Sequence, residues 1–244
     1  MIIRSELCTA CGFCRPYCPV GAIEATQGPP GLAINRDSCV ECEACHRSGV
    51  CPSRALSPED LPWPRLVRSL FSNPRSVHKK THVPGRGAEE MKTNDLTGRI
   101  RPGVVSLAIE LGRPGLGTDF CDIQAVTQAC AARGCRFEPA NPLTQLMVDQ
   151  GQGKLRADIM GERVLSAILE VYISLERLPA LLEALRQAAT QIMTVFSLGL
   201  SYLACPSTED VLAETLSSAG IQVRPNGKIN AGLGRPLFDF SSEG

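Results

Sequence analysis

Residues 8–19 read CTACGFCRPYCP, and residues 39–52 read CVECEACHRSGVCP. Each stretch runs C-x2-C-x2-C and closes on a Cys-Pro. The lead-ins also match: Ile3-Arg4-Ser5-Glu6-Leu7-Cys8 aligns with Ile34-Asn35-Arg36-Asp37-Ser38-Cys39, an offset of 31. Two copies of one unit form a pseudo-twofold pair, in which each half can lend its outlying cysteine to the other. Eight of the 12 cysteines in this 244-residue chain lie in this head. Such clustering serves a disulfide framework, zinc, or iron–sulfur clusters. Disulfides need an oxidising compartment. The start, MIIRSELC, has neither the charged n-region nor the apolar h-region of a Sec-type signal, so a cytoplasmic location is expected. Zinc needs only two C-x2-C pairs per site and has no use for the third close cysteine or the Cys-Pro.

The head resembles bacterial-type ferredoxins carrying two [4Fe–4S] clusters. Cys8, Cys11, Cys14 and Cys18-Pro19 fit that family's C-x2-C-x2-C-x3-C-P run without deviation. In the family the fourth cysteine of each run ligates the other cluster. The resemblance therefore implies one cluster on Cys8, Cys11, Cys14 and Cys51, and a second on Cys39, Cys42, Cys45 and Cys18. It covers residues 1–57 only. The second copy departs from the pattern, because His46-Arg47-Ser48-Gly49-Val50 separates Cys45 from Cys51. A loop bulge containing a glycine absorbs the two extra residues.

The spacing has a physical reason. Three cysteines at two-residue intervals wrap a loop around one face of a cubane, with backbone N–H groups aimed at the sulfurs. Thr9, Ala10, Gly12 and Ala44 are small enough for the close wrap. The residues between ligands are neutral in the first copy, whereas the second carries Glu41 and Glu43. A carboxylate opposes the added electron of reduction, so the Cys39 cluster is expected to have the lower potential.

Charge is balanced over the whole chain, 25 Lys+Arg against 25 Asp+Glu. That argues against nucleic-acid binding by phosphate neutralisation. No run of about 18 apolar residues marks a membrane span. Residues 58–102 are rich in proline and arginine, and hold the single tryptophan, Trp63, between Pro62 and Pro64. Leu66, Val67, Leu70 and Phe71 are spaced for one face of a short helix. This stretch is long for a connector, and Trp, Phe and Arg anchor interfaces. It reads as an arm that orders against another subunit, the alternative being a linker packed on its own chain.

Residues 103–244 alternate strand and helix. Strands are expected over Val104–Leu111, near 154–159, over Val164–Leu175, Ile192–Leu203 and Ile221–Arg224. Helices are expected over about 119–133, briefly after Asn141-Pro142, and over Leu178–Thr190 and Thr208–Ala219. The core is β-α-β followed by β-α-β, a split ferredoxin-like arrangement within an overall α+β chain. It resembles the ACT-like regulatory modules in topology alone, which assigns no function.

Two further features bear on chemistry. Gly112-Arg113-Pro114-Gly115-Leu116-Gly117 lies between a strand and a helix start, and Gly234-Arg235-Pro236 echoes it. Arg113, Gly115, Gly117 and Arg235 make a candidate anion site, the plain alternative being two tight turns. The late cysteines Cys121, Cys130, Cys135 and Cys205 form no C-x2-C pair and read as buried thiols. His46, His78 and His82 lack metal-ligand spacing, and no catalytic triad or carboxylate pair is present.

The ferredoxin resemblance implies an electron-transfer subunit of an oxidoreductase complex. Its partners would be a catalytic subunit holding flavin or another redox cofactor, and an electron-donor protein. The alternative is a redox- or ligand-sensing module whose C-terminal domain binds an anion. A self-contained reductase is disfavoured, because no acid–base set and no flavin or nicotinamide loop is found.

Overall fold

The computed structural model describes residues 1–28, 31–77, 98–113, 115–204 and 206–223. The head is built from two small antiparallel ribbons. Strand β1 (Ile2–Ile3) pairs with β4 (Leu56–Ser57), and β2 (Ile23–Ala25) with β3 (Leu32–Ile34). The first ribbon ties the start of the head to its end. Both cysteine loops therefore close around a shared small core of Met1, Ala22, Ile23, Leu32 and Leu56. A short helix α1 (Ala44–Arg47) occupies part of the enlarged second loop.

The repeat seen in the sequence is repeated in the backbone. Ala10 and Gly12 flank Cys11 with φ of 55° and 77°, and Glu41 and Glu43 flank Cys42 with φ of 55° and 57°. A side chain in this left-handed region is strained, so the first loop bears that strain at Ala10 alone, with Gly12 free of it, whereas the second bears it at two glutamates. Gly31, at φ 82°, is needed for another reason: a Cβ there would lie 2.9 Å from Ala10 Cβ in the first cysteine loop.

Helix α2 (Leu66–Ser72) follows the head. Its Val67 and Phe71 are buried in the core of the C-terminal unit, where Phe71 meets Phe120 edge-on with ring centres 5.8 Å apart. Over its first part the arm thus packs on its own chain, through Val67, Leu70 and Phe71, while Leu66 stays exposed. His78, His82 and the arm's Lys79-Lys80 pair lie outside the described residues.

The C-terminal unit is organised on a four-stranded sheet. Its strands are β5 (Val104–Leu111), β7 (Arg136–Phe137), β11 (Ala167–Ser174) and β12 (Phe196–Tyr202), in the order β12-β5-β11-β7 with every neighbour antiparallel. On β5 the alternate residues Val105, Leu107, Ile109 and Leu111 are fully buried, the period-two signature of a strand with one face on a core. Helices α3 (Phe120–Ala132) and α4 (Leu178–Ala189) supply Phe120, Ile123, Val126, Leu181 and Leu185 to the same core. Helix α5 (Pro206–Ser218) adds Leu212. Minor ribbons are β6 (Thr118–Asp119) with β10 (Arg163–Val164), and β8 (Met147–Asp149) with β9 (Lys154–Leu155).

The structure departs from the sequence expectation in detail. The short helix after Asn141-Pro142 is a single 3-10 turn over Thr144–Leu146. The long apolar run from Val164 is divided between β10 and β11. Residues 221–223 form no strand. Among the described residues no helix is long and apolar enough to cross a membrane.

Candidate metal centres

The eight head cysteines sort into two cavities. Cys8, Cys11, Cys14 and Cys51 line one, with Ile3 and Leu32. Cys18, Cys39, Cys42 and Cys45 line the other, with Ile23 and Ile34. Each cavity thus takes three cysteines from one run and the outlying cysteine of the other. The two-residue excess before Cys51 is accommodated by α1 and by Gly49 at φ 66°, and it does not carry Cys51 away from the first cavity.

The outlying cysteines share one backbone setting. Ala22 N–H donates to Cys18 Sγ at 3.1 Å, and Ala55 N–H to Cys51 Sγ at 3.2 Å. Each Cys-Pro is followed by a left-handed residue, Gly21 at φ 65° in one copy and Arg54 at φ 52° in the other. That turn aims an N–H back at the sulfur. Such hydrogen bonds stabilise sulfur that carries negative charge.

Electrostatics separate the two sites. Burial pushes the thiols of Cys14, Cys39 and Cys42 above their ordinary range. Cys45 is pushed up to about 12, by burial first and then by its neighbours Cys42, Cys18 and Cys39. Burial also acts on Cys51, but hydrogen bonds from the Ser53 hydroxyl and the Ala55 and Leu56 N–H groups outweigh it and hold that thiol low. Four sulfurs that repel one another as thiolates call for a positively charged centre between them, and the donor set suits a thiolate-ligated iron–sulfur core. Cys11 is exposed, whereas Cys39, Cys42 and Cys45 are buried, so the second site is the better shielded from solvent.

The charges around the second loop differ from the sequence expectation. Glu41 does not stand as a bare carboxylate. It is buried, accepting from the Met1 amino group at 2.5 Å and from Arg65 Nε and Nη2 at 2.8 and 2.6 Å. Arg47 donates to the Cys42 carbonyl, and Arg68 Nη1 to the Cys39 carbonyl at 2.8 Å. The simple argument that Glu41 lowers the potential of the Cys39 cluster therefore fails, because its charge is met by two cations.

Two of these cations, Arg65 and Arg68, lie on the segment that joins the head to the C-terminal unit. Arg68 reaches Glu162, and Ser72 Oγ accepts from Leu165 N–H at 2.8 Å. Trp63 donates to Asp158 at 2.6 Å, with the Arg156 guanidinium 4.9 Å from the centre of its ring. Sequence reading missed Arg65 and Arg68. A run of Pro, Trp and Arg signals an anchor but not what is anchored.

The profile of the 4Fe-4S binding domain family matches residues 1–24. Ferredoxin-1 of Rhodobacter capsulatus is 42% identical over 57 residues, which is 23% of this chain and 85% of that protein. Through its head, the chain belongs to the ferredoxin family. Ferredoxin-3 of Chlorobaculum tepidum is 39% identical over 56 residues, 21% of this chain and 87% of that protein. A ferredoxin-like protein in the vnf region of Azotobacter vinelandii is 42% identical over 55 residues, 21% of this chain and 82% of that protein. No solved structure matches the chain. A ferredoxin head of this type carries [4Fe–4S] chemistry, and its activity is electron transfer.

Outside the ferredoxin head, Arg113 pairs with Glu110 at 2.9 Å. The N–H groups of Leu116 and Gly117 both donate to the Gly112 carbonyl, and Gly112 N–H donates to Val195. The loop holding Arg113, Gly115 and Gly117 is thus closed on itself, and Arg235 lies outside the described residues. Cys130 and Cys135 are buried, but Cys121 is exposed and corrects the expectation for that thiol. Cys205 lies outside the described residues.

Proposed function

We propose that the chain is an electron-transfer subunit of an oxidoreductase complex, passing single electrons through two [4Fe–4S] clusters to a catalytic partner. Cys8, Cys11, Cys14 and Cys51 would hold one cluster, and Cys18, Cys39, Cys42 and Cys45 the other. The observation that carries this reading is the sorting of the eight cysteines into two cavities by a crossed pattern. A cluster ligated by four cysteines supplies a one-electron couple and leaves no coordination site for substrate. The chain's own residues then set the environment: Ala22 and Ala55 hydrogen-bond the outlying sulfurs, and the small apolar core excludes water.

We read residues 58–102 as the connecting arm and residues 103–244 as a split β-α-β unit, a reading supported by the strand order β12-β5-β11-β7 with helices α3 and α4 on one core. This unit docks on the partner, a subunit holding flavin or another redox cofactor, and a donor protein reduces the head. The cytoplasm, where clusters are kept from oxidation, is the compartment that fits.

Purification without oxygen tests the reading. Iron and acid-labile sulfide should each approach about eight per chain, as two four-iron clusters require. Cys18→Ser should damage the cluster on Cys39, Cys42 and Cys45 and spare the one nearer in sequence. Zinc in place of iron would overturn the cluster reading. A chain recovered without any redox protein under gentle anaerobic conditions would overturn the subunit reading.

A further inference from the structure

Arg68 is the residue where the head and the C-terminal unit meet in a single side chain. It lies in the arm helix and is 5% exposed. Its Nη1 donates to three carbonyls of the second cysteine loop: Arg36 at 3.1 Å, Asp37 at 2.9 Å and Cys39 at 2.8 Å. Its Nε donates to Glu162, which belongs to the turn just before β10 in the C-terminal unit. Glu162 is itself placed by that unit, its carbonyl accepting from Phe120 N–H at the start of α3. Among the described residues no Arg68 hydrogen bond or ion pair reaches Cys8, Cys11, Cys14 or Cys51.

We propose that the Arg68–Glu162 pair makes the reduction potential of the Cys39 cluster depend on how the C-terminal unit is seated, so that this unit tunes one cluster and not the other. The inference rests on the two-cluster reading above. Its physical basis is Coulombic. Reduction adds an electron to the cluster, so a cation held at the carbonyl of a ligand residue stabilises the reduced state. Burial removes the water that would otherwise screen the guanidinium. Glu162 is the counter-charge, and it is supplied from outside the head. Any event in the C-terminal unit that draws Glu162 away leaves the Arg68 charge uncompensated and raises the potential. An event that draws Arg68 away with Glu162 lowers it. Arg68 is a positioning and tuning residue here, since it touches the loop and not the cluster sulfurs.

The two partners therefore make opposite predictions, which a merely structural role does not. The full chain is purified anaerobically with iron and sulfide at the two-cluster level, and each cluster is titrated by electron paramagnetic resonance. Cys11→Ser serves to assign the signal of the first cluster. In Glu162→Gln the ratio of reduced to oxidised Cys39 cluster at fixed potential should rise about threefold, roughly 30 mV at 59 mV per tenfold for one electron. In Arg68→Gln the ratio should fall by at least as much. Arg68→Lys keeps the charge and should recover most of the native value. The Cys8 cluster should hold its potential in all three variants.

Shifts of the same sign in Glu162→Gln and Arg68→Gln, or no shift in Glu162→Gln, overturn the proposal. So does a shift confined to the Cys8 cluster. If Arg68→Gln loses its clusters, the Glu162→Gln and Arg68→Lys pair still decides the question. A wild-type chain with only about four irons overturns the two-cluster reading itself, an outcome distinct from intact clusters that fail to move.

Discussion

The indole Nε1 of Trp63 donates to Asp158 Oδ2 at 2.6 Å, fastening the segment just after the head to the C-terminal unit. Hydrogen bonds from Arg156 and then from Trp63 hold the Asp158 carboxyl down at about 2. A depressed carboxyl contributes stability above its unfolded value and loses it as pH falls through the folded one. This contact should therefore be constant from about pH 8 down to about pH 5 and fail only near pH 2. Trp63 is the sole tryptophan, so its emission reports on the contact directly. The wild-type spectrum should not move over the neutral range, whereas Asp158→Ala should shift it to longer wavelength at pH 7. An Asp158→Ala spectrum identical to wild type would mean that other contacts hold the ring.

Glu41 is 2% exposed and depends on its cations. Replacing Arg65 by Met removes a partner of a buried carboxylate, which costs about 3–5 kcal/mol in a fully buried pair. The Met1 amino group still reaches the other oxygen, so a loss near about 3 kcal/mol is expected. Denaturant titration of the anaerobic protein measures it. A change under about 0.5 kcal/mol would show that Arg65 is dispensable to the head.

Much of the head was legible because cysteine spacing is a strong constraint and the two copies repeat it. The pairing of Ala10 with Glu41 and of Gly12 with Glu43 in left-handed backbone follows the same offset of 31 that aligns the sequences. What the spacing does not carry is which groups offset the charges between the ligands. Glu41 reads as a bare anion in sequence, because its partner Arg65 lies 24 residues away in a different element. In the C-terminal unit the long strands read as apolar runs, and β5 has the ends expected for it, Val104–Leu111. Strand β7 was missed because two residues, Arg136 and Phe137, cannot display a period. The run from Val164 to Leu175 reads as one strand because β11 is buried on both faces and shows no alternation.

The late cysteines should separate by reactivity. Cys121 is exposed, whereas Cys130 and Cys135 are buried in the sheet–helix core. The Cys130 thiol is pushed well up, by its hydrogen bond with Cys135 and then by burial. The thiolate is the reactive form. Brief alkylation of the native, cluster-loaded protein should modify Cys121 and leave Cys130 and Cys135 untouched until denaturant is added. Peptide mapping reads this out, and early modification of Cys130 would mean that the end of α3 opens readily.

Tyr172 and Glu138 form a buried pair on the side of β11 away from the main core, with the phenol donating to Glu138 Oε2 at 2.5 Å. Glu138 is fully buried and also accepts from Arg99 Nε and Nη2 at 2.8 and 3.0 Å and from Ala140 N–H at 2.9 Å. Burial alone would raise this carboxyl, but the hydrogen bonds from Arg99, Tyr172 and Ala140 outweigh it and hold it below the usual range. Its contribution is therefore present above the unfolded carboxylate value and lost as pH falls through the folded one. Tyr172 is pushed up, by burial first and then by Glu138. Its contribution is complete below the unfolded value, near about pH 10, and is lost as pH climbs through the folded one. Tyr172→Phe should cost about 1.5–3 kcal/mol at neutral pH, the range for a hydrogen bond to a charged group. Above about pH 10 the gap between wild type and variant should narrow, because only the wild type has a phenol whose ionisation favours the unfolded chain. Thermal unfolding followed by circular dichroism at neutral and alkaline pH tests both points. A gap that stays constant with pH would show that Tyr172 acts through packing alone.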